Sequence, residues 1–264
     1  MQINSTYSTE ALVLKHSNVG ETDRLITLYT KNYGKVQAYA KGVRKINSRL
    51  AGYLEPLNRV SILLRQGRNL PLITEADVLD AFYTTSTNFE AIVSGSYIAE
   101  CLDAFTLEGV ENIDLFDLGC SELKQIQTVQ NAETQLRFFE LQLLTISGYQ
   151  PELDVCLYCR TLPNRLSIYF SFEAGGILCR DCKDKFTSII VSETSIKALR
   201  YLLQAETLGA QKMKMPSETH KELAYILTNY LQFVIDRGLK SVAFTHHLEN
   251  WESKSALNSE KASW

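Results

Sequence analysis

Four cysteines set the tightest constraint on this chain: Cys156 and Cys159 form one Cys-x2-Cys pair, and Cys179 and Cys182 repeat the spacing. Such a turn presents two thiolates on one side of a short loop. Two turns facing each other give a divalent ion a closed tetrahedral sulfur cage at about 2.3 Å. The spacer Arg160–Leu178 has the length of a four-cysteine zinc ribbon. Within it Leu166, Ile168, Phe170 and Phe172 alternate as a strand that rises toward Gly175-Gly176 and turns back into the second pair. The expectation is one structural zinc ion in a knuckle at residues 154–186. With all four ligands used, no position is left for water or substrate, so such a site builds fold rather than performs catalysis. Metal binding there is worth on the order of 10 kcal/mol to a ribbon too small to stand alone. Disulfides or a thioredoxin-like redox pair use the same spacing; two pairs rather than one favour zinc.

Charge divides the chain. Residues 1–80 carry 11 Lys/Arg against 7 Asp/Glu, whereas residues 81–264 carry 16 against 23, beneath a net charge of −3. Within residues 35–68 stand Lys35, Lys41, Arg44, Lys45, Arg49, Arg59, Arg65 and Arg68, opposed by the single acid Glu55. A solvated basic face is the plain explanation of such a run, and a phosphate-binding surface is the functional one.

The same region reads as all-β. Glu10–His16, Asp23–Thr30, Gly34–Ala40, Leu57–Arg65 and Leu70–Val78 place β-branched, aromatic or aliphatic residues on alternating positions between turn residues. Five strands with a long insertion after the third, Lys41–Pro56, match a Greek-key barrel of the OB type, whose face and loops commonly bind oligonucleotides. Lys41-Gly42-Val43-Arg44-Lys45 and Ser48-Arg49 lie in that insertion. Their cations could neutralise successive phosphates while Tyr39 or Tyr53 stacks on unpaired bases; either tyrosine could equally belong to the barrel core.

After residue 82 the apolar period changes to three and four. Phe89, Ile92, Val93, Ile98, Cys101, Leu102 and Phe105 form one stripe, and Leu136, Phe139, Leu143 and Leu144 another. Ser192 and Ser217 are candidate caps of two later helices, the second with Leu223, Ile226, Tyr230, Phe233 and Val234 inward. The fold class is therefore α+β: an N-terminal OB-type barrel at 1–80, a helical domain at 81–248 with the inserted zinc knuckle, and a flexible tail at 249–264. No signal-peptide order and no apolar run of about 18 residues is present, so a cytoplasmic protein without membrane association is expected. In a reducing compartment Cys101 and Cys120 are buried thiols.

Several motifs together resemble a known family. The run Phe139-Glu140-Leu141-Gln142-Leu143-Leu144-Thr145-Ile146-Ser147-Gly148-Tyr149-Gln150-Pro151-Glu152-Leu153 leads into the first cysteine pair, and Ala174-Gly175-Gly176-Ile177-Leu178 into the second. With Lys41-Gly42-Val43-Arg44, Ser48-Arg49-Leu50 and Leu54-Glu55-Pro56-Leu57, they resemble RecO, the bacterial recombination mediators, over residues 9 to about 245. The resemblance implies a nonenzymatic DNA repair protein that binds single- and double-stranded DNA. It implies annealing of complementary strands coated by single-stranded DNA-binding protein (SSB), and joining RecR to help load the RecA recombinase. It puts the metal role on Cys156, Cys159, Cys179 and Cys182, and the DNA role on Lys41, Arg44, Lys45 and Arg49, with Lys35 as an addition. A contact for the acidic, apolar C-terminal tail of SSB belongs to the helical domain, at residues no short motif locates; Lys240-Ser241 resembles a basic spot near the family's C-terminus. Such a protein works at the nucleoid.

The residues agree with a binding machine. There is no Gly-x4-Gly-Lys-Ser/Thr phosphate loop for ATP hydrolysis, and His16, His220, His246 and His247 lack the setting of a nucleophile triad. A metal-dependent enzyme acting on nucleic acid would need an open site of carboxylates or histidines, which the four-cysteine cage does not provide. The alternative is a zinc-stabilised protein-interaction adaptor without direct DNA binding, in which the basic run is only solvated surface.

Overall fold

The five alternating runs become five strands in a computed structural model that describes residues 6–82, 89–128, 131–164, 167–205 and 207–235. The tail at 249–264, Lys240 and Leu166 lie outside them. Strands β1 (Thr6–Val19), β2 (Asp23–Thr30), β3 (Gly34–Ala40), β4 (Arg59–Arg65) and β5 (Leu72–Asp80) close in the order β1-β2-β3-β5-β4, the order of a small Greek-key barrel. β1 is longer than its sequence signal because it serves two neighbours. It pairs with β4 from Thr6 to Leu12 and with β2 from Ala11 to Val19, bending at an irregularity between Val13 and Lys15. Closure rests on one β3–β5 pair, Tyr39 opposite Leu72, and on the Tyr39 amide donating to Pro71 O at 2.9 Å.

Ala11, Val13, Ile26, Leu28, Ala38, Ala40, Val60, Ile62 and Leu64 fill the barrel. Leu12, Leu14 and Tyr29 point the other way and are also buried, because the helical domain packs against that outer face. The insertion after β3 contributes to the same interior. Val43 and Leu54 are fully buried in the barrel core, and the short helix α1 (Leu50–Tyr53) rests Leu50, Ala51 and Tyr53 on it.

The helical domain comprises α2 (Phe89–Phe105), α3 (Ile113–Gln125), α4 (Ala132–Ile146), α5 (Glu193–Gln204), α6 (Thr207–Lys212) and α7 (Ser217–Ile235). Side chains of Asn112, Asn131 and Ser192 cap α3, α4 and α5 by accepting the amides of Leu115, Thr134 and Ser195. Ser217 differs from its expected role. It is the first helical residue, and the carbonyl of Pro216 accepts the His220 amide at 3.1 Å. Phe89 and Phe233 also leave their apolar stripes. Both are more than half exposed, since each sits at a helix end beyond the packed neighbours.

The barrel and the helices meet at the Gly34 end of β3. Tyr29 Oη donates to Asn112 O at 2.8 Å, and Lys35 Nζ reaches Asp103 Oδ1 at 3.1 Å and Asp103 O at 2.6 Å. Gly34, at φ +63°, lies so close to Val110 that a Cβ would stand 2.1 Å from the Val110 carbonyl oxygen, so only glycine fits.

Between α4 and α5 the knuckle hangs on a three-stranded antiparallel sheet, with β6 (Ile168–Ser171) between β7 (Gly176–Leu178) and β8 (Ile189–Val191). The expected strand is β6, with Ile168 and Phe170 buried. Phe170 stacks edge-on against Tyr230 of α7, and Arg200 of α5 donates to Leu153 O, so the knuckle is bound to the helices. Among the described residues no helix is long and apolar enough to cross a membrane.

Candidate metal centre and nucleic-acid interface

Two tight turns bring the cysteines together. In the first, the Arg160 amide donates to Cys156 O at 2.8 Å and the Cys156 amide to Thr161 O at 2.9 Å, with Arg160 left-handed at φ +60°. In the second, the Cys182 amide donates to Cys179 O at 3.1 Å. Leu157 hangs its amide on Ile177 O, fastening one knuckle to the strand that leads into the other. All four sulfurs lie within 4.8 Å of one another, and Cys159 Sγ stands 3.6 Å from Cys179 Sγ. A tetrahedral cage with 2.3 Å bonds needs sulfurs about 3.8 Å apart, whereas a disulfide needs about 2.05 Å. All six cysteines are free thiols. The donor set therefore fits a metal ion held by four sulfurs.

Leu178, Leu157, Tyr169 and Phe186 wrap three of the cysteines, and Cys159 remains exposed. The Thr161 hydroxyl, 3.0 Å from Cys159 Sγ, and the Thr161 amide hold that thiol down to about 6, favouring the thiolate that a metal requires. Cysteine spacing gave no hint of Thr161. Nor did it show that Glu152 is a strut, exchanging backbone hydrogen bonds with Gly175 and Ile177. That contact ties the Gly148–Leu153 stretch to Gly175-Gly176 in space.

The five expected DNA-contact residues fall in two places. Lys41, Arg44, Lys45 and Arg49 are all exposed on the insertion after β3. Lys35 sits at the other end of β3, roughly 20 Å away at about 3.3 Å per residue, with its ammonium on Asp103 and only 14% of its side chain exposed.

Tertiary structure also sorts the cations of the first 80 residues. Lys15 and Lys35 pair with Asp103, Arg24 with Glu55, Lys31 with Asp117, and Arg59 with Glu10 and Asp80. Among the described residues, Lys41, Arg44, Lys45 and Arg49 have no ion-pair partner, and neither do Arg65 and Arg68, also exposed. Register places this second pair beside the first group: Leu72 lies opposite both Arg65 and Tyr39, two residues before Lys41. The cations without a salt bridge thus flank the Tyr39–Leu72 seam where β3 meets β5.

The insertion is held in place. Val43 anchors it in the core, the Arg44 amide donates to Thr22 O at 2.9 Å, and Arg44 Nη1 reaches Gly20 O at 3.2 Å. Asp23 Oδ1 accepts the Gly42 amide, and this bond, with help from the Thr22 hydroxyl, keeps the Asp23 carboxyl below its ordinary value. Tyr53 packs on the barrel core, and it and Tyr39 are both half-buried.

The family model "Recombination protein O N terminal" matches residues 1–82, and "Recombination protein O C terminal" matches residues 86–243. The chain is 32% identical over 243 residues to the DNA repair protein RecO of Desulforamulus reducens, covering 92% of this chain and 94% of that one. It is 33% identical over 240 residues to that of a Roseiflexus species, covering 90% and 84%. With that of a Thermoanaerobacter species it shares 31% over 244 residues, covering 92% and 98%.

Proposed function

Since this chain belongs to the RecO family of DNA repair proteins, we propose that it acts as a nonenzymatic recombination mediator. It binds single- and double-stranded DNA through the basic insertion after β3 and the cations across the Tyr39–Leu72 seam. The observation that carries this reading is the sorting of cations. Lys41, Arg44, Lys45 and Arg49, with Arg65 and Arg68 across the seam, are exposed and form no salt bridge among the described residues, the first four on a loop whose backbone is already fixed. Cations so placed release counterions from a phosphate backbone without first breaking ion pairs of their own. A strand held by its phosphates keeps its bases available, so two neutralised strands meet with less repulsion and pair. Annealing of SSB-coated complementary strands, capture of the SSB C-terminal tail by the helical domain, and cooperation with RecR in loading RecA complete the role, carried out at the nucleoid in the cytoplasm.

One zinc ion on Cys156, Cys159, Cys179 and Cys182 is structural in this reading. It ties the two knuckle turns together and thereby supports the β6–β8 sheet against α5 and α7. The zinc supplies no chemistry beyond that clamp, since four sulfurs complete its coordination.

The test is annealing of two complementary oligonucleotides, each coated with SSB, across a salt series. Acceleration that fades with salt supports the mediator; no acceleration and no oligonucleotide binding even at low salt leaves a zinc-stabilised adaptor instead.

A further inference from the structure

We propose that Ile46 is an apolar contact for nucleobases, placed at the tip of the basic loop so that a strand held there by its phosphates lays a base against it. The inference rests on the DNA-binding reading above and adds to it a part that touches bases rather than phosphates.

Two consecutive turns build the tip. The Lys45 amide donates to Gly42 O at 3.1 Å and the Ser48 amide to Lys45 O at 2.9 Å, so Ile46 follows the residue the two turns share. Turns of this kind ordinarily carry Asn, Asp, Ser or Gly, and a β-branched aliphatic residue has no local role in one. Ile46 is nevertheless wholly exposed, at 102% of its reference area. Val43, three residues earlier in the same loop, is fully buried in the barrel. One apolar side chain of the loop therefore anchors it and another is held out in water.

The exposure is fixed by the backbone. Asp23 clamps Gly42, Thr22 O holds the Arg44 amide, and the Lys45 stem lies over Gly42, its Cδ 3.5 Å from where a Cβ would stand. A loop so pinned cannot fold Ile46 back without breaking these bonds.

The surroundings choose the occupant. Arg44 and Lys45 precede Ile46, Arg49 follows by three residues, and none forms a salt bridge among the described residues, Asp23 acting on Lys45 only at longer range. Leu107 is also largely exposed, yet it borders the acid Glu108, and an anionic strand gains nothing there. An apolar tip ringed by unpaired cations matches a polyanion that carries flat, weakly polar faces, which is a nucleic-acid strand with unstacked bases. Aliphatic side chains serve elsewhere as wedges at base steps.

The experiment measures affinity of the full chain for a thymidine oligonucleotide and for an abasic oligonucleotide of equal length, over a salt series, for the unaltered protein, Ile46→Ser and Ile46→Phe. The expected result is that the unaltered protein prefers the thymidine strand. Ile46→Ser should lose about tenfold on it, in the range of single-base contacts, and nothing on the abasic strand, with an unchanged salt slope. Ile46→Phe should keep the preference. If Ile46→Ser binds the thymidine strand as tightly as the unaltered protein, with the salt slope intact, the base contact is wrong while DNA binding stands. If neither strand binds at low salt, the DNA-binding reading falls and takes this inference with it. A leucine-containing polyglutamate peptide is the third probe: loss of its binding in Ile46→Ser without loss of thymidine preference would assign the tip to a protein partner and overturn the inference.

Discussion

The Asp23 carboxylate accepts the amide of Gly42 at 2.8 Å across 19 residues of sequence. The bond joins the start of β2 to the point where the chain leaves β3 for the basic loop. It places one anion beside Lys41 and Lys45, whose charges help keep the carboxyl ionised. The contact both positions the cations and opposes part of their field.

Separating these two roles is the first prediction. Asp23→Asn keeps an oxygen for the Gly42 amide and removes the charge, so DNA affinity should rise and its salt dependence steepen. Asp23→Ala loses the acceptor as well, and the Gly42 amide should exchange faster with solvent. Because the Asp23 pKa is lowered on folding, the contact is present above the ordinary aspartate range and is lost as pH falls through the folded value. The Gly42 amide proton shift, followed by NMR during acidification, should therefore change only below that ordinary range.

Replacing Lys41, Arg44 and Arg49 together by alanine should flatten the dependence of log affinity on log salt by about 2, at roughly 0.7 for each phosphate released on a single strand. Arg65→Ala with Arg68→Ala should flatten it further. Lys35→Ala should leave the slope alone and cost on the order of 1–2 kcal/mol of stability through the lost Asp103 contacts. Fluorescence titration and chemical denaturation read the two effects separately, and a Lys35→Ala slope reduced as far as that of the loop variants would return Lys35 to the DNA surface.

Freshly purified, reduced protein should contain one zinc per chain by elemental analysis. Cys156→Ser should release it and loosen the knuckle together with α5 and α7, visible as lost amide protection in β6–β8 and at the Phe170–Tyr230 contact. Acidification should release the metal as the thiolates protonate. A chain without zinc under those conditions would defeat the four-sulfur site.

In the helical core, Glu122 is buried with Gln135 Nε2 donating to its Oε2 at 2.6 Å, and burial pushes its carboxyl up to about 7. The folded state then holds a proton that the unfolded chain has lost between about 4.5 and 7, so stability falls as pH rises through that window. Burial pushes Glu140 up to about 7 as well, so Glu122→Gln, which keeps the hydrogen bond, should remove about half of the slope and stabilise the protein at pH 8 by on the order of 2 kcal/mol. Thermal unfolding across pH checks it, and an unaltered slope would place the titration elsewhere.

Much of this architecture was legible locally. Period-two alternation marked β2 and β3 to the residue, period three and four marked α4, and Ser192 announced α5, because backbone geometry imposes those spacings wherever a face is buried. The cysteine pairs named their own site, since a turn and its sulfurs are contiguous in sequence. β1 was read short because residues such as Ser17 and Asn18 pair with β2 at an exposed end, where pairing needs no apolar side chain.

Charge was the least legible property. Sequence counts gave Lys35 and Arg44 the same weight, but Asp103, 68 residues away, neutralises one, and nothing among the described residues neutralises the other. The barrel-then-helix order, the sulfur donors and the positive bias of the first 80 residues are written in the sequence alone, because each follows from residue type and short-range spacing. Which cations lack a salt bridge, that they flank the Tyr39–Leu72 seam, and that Val43 turns inward while Ile46 stays in water were settled by the folded chain. Those outcomes depend on contacts between residues distant along the chain, and Coulomb pairing and burial act on distance in space.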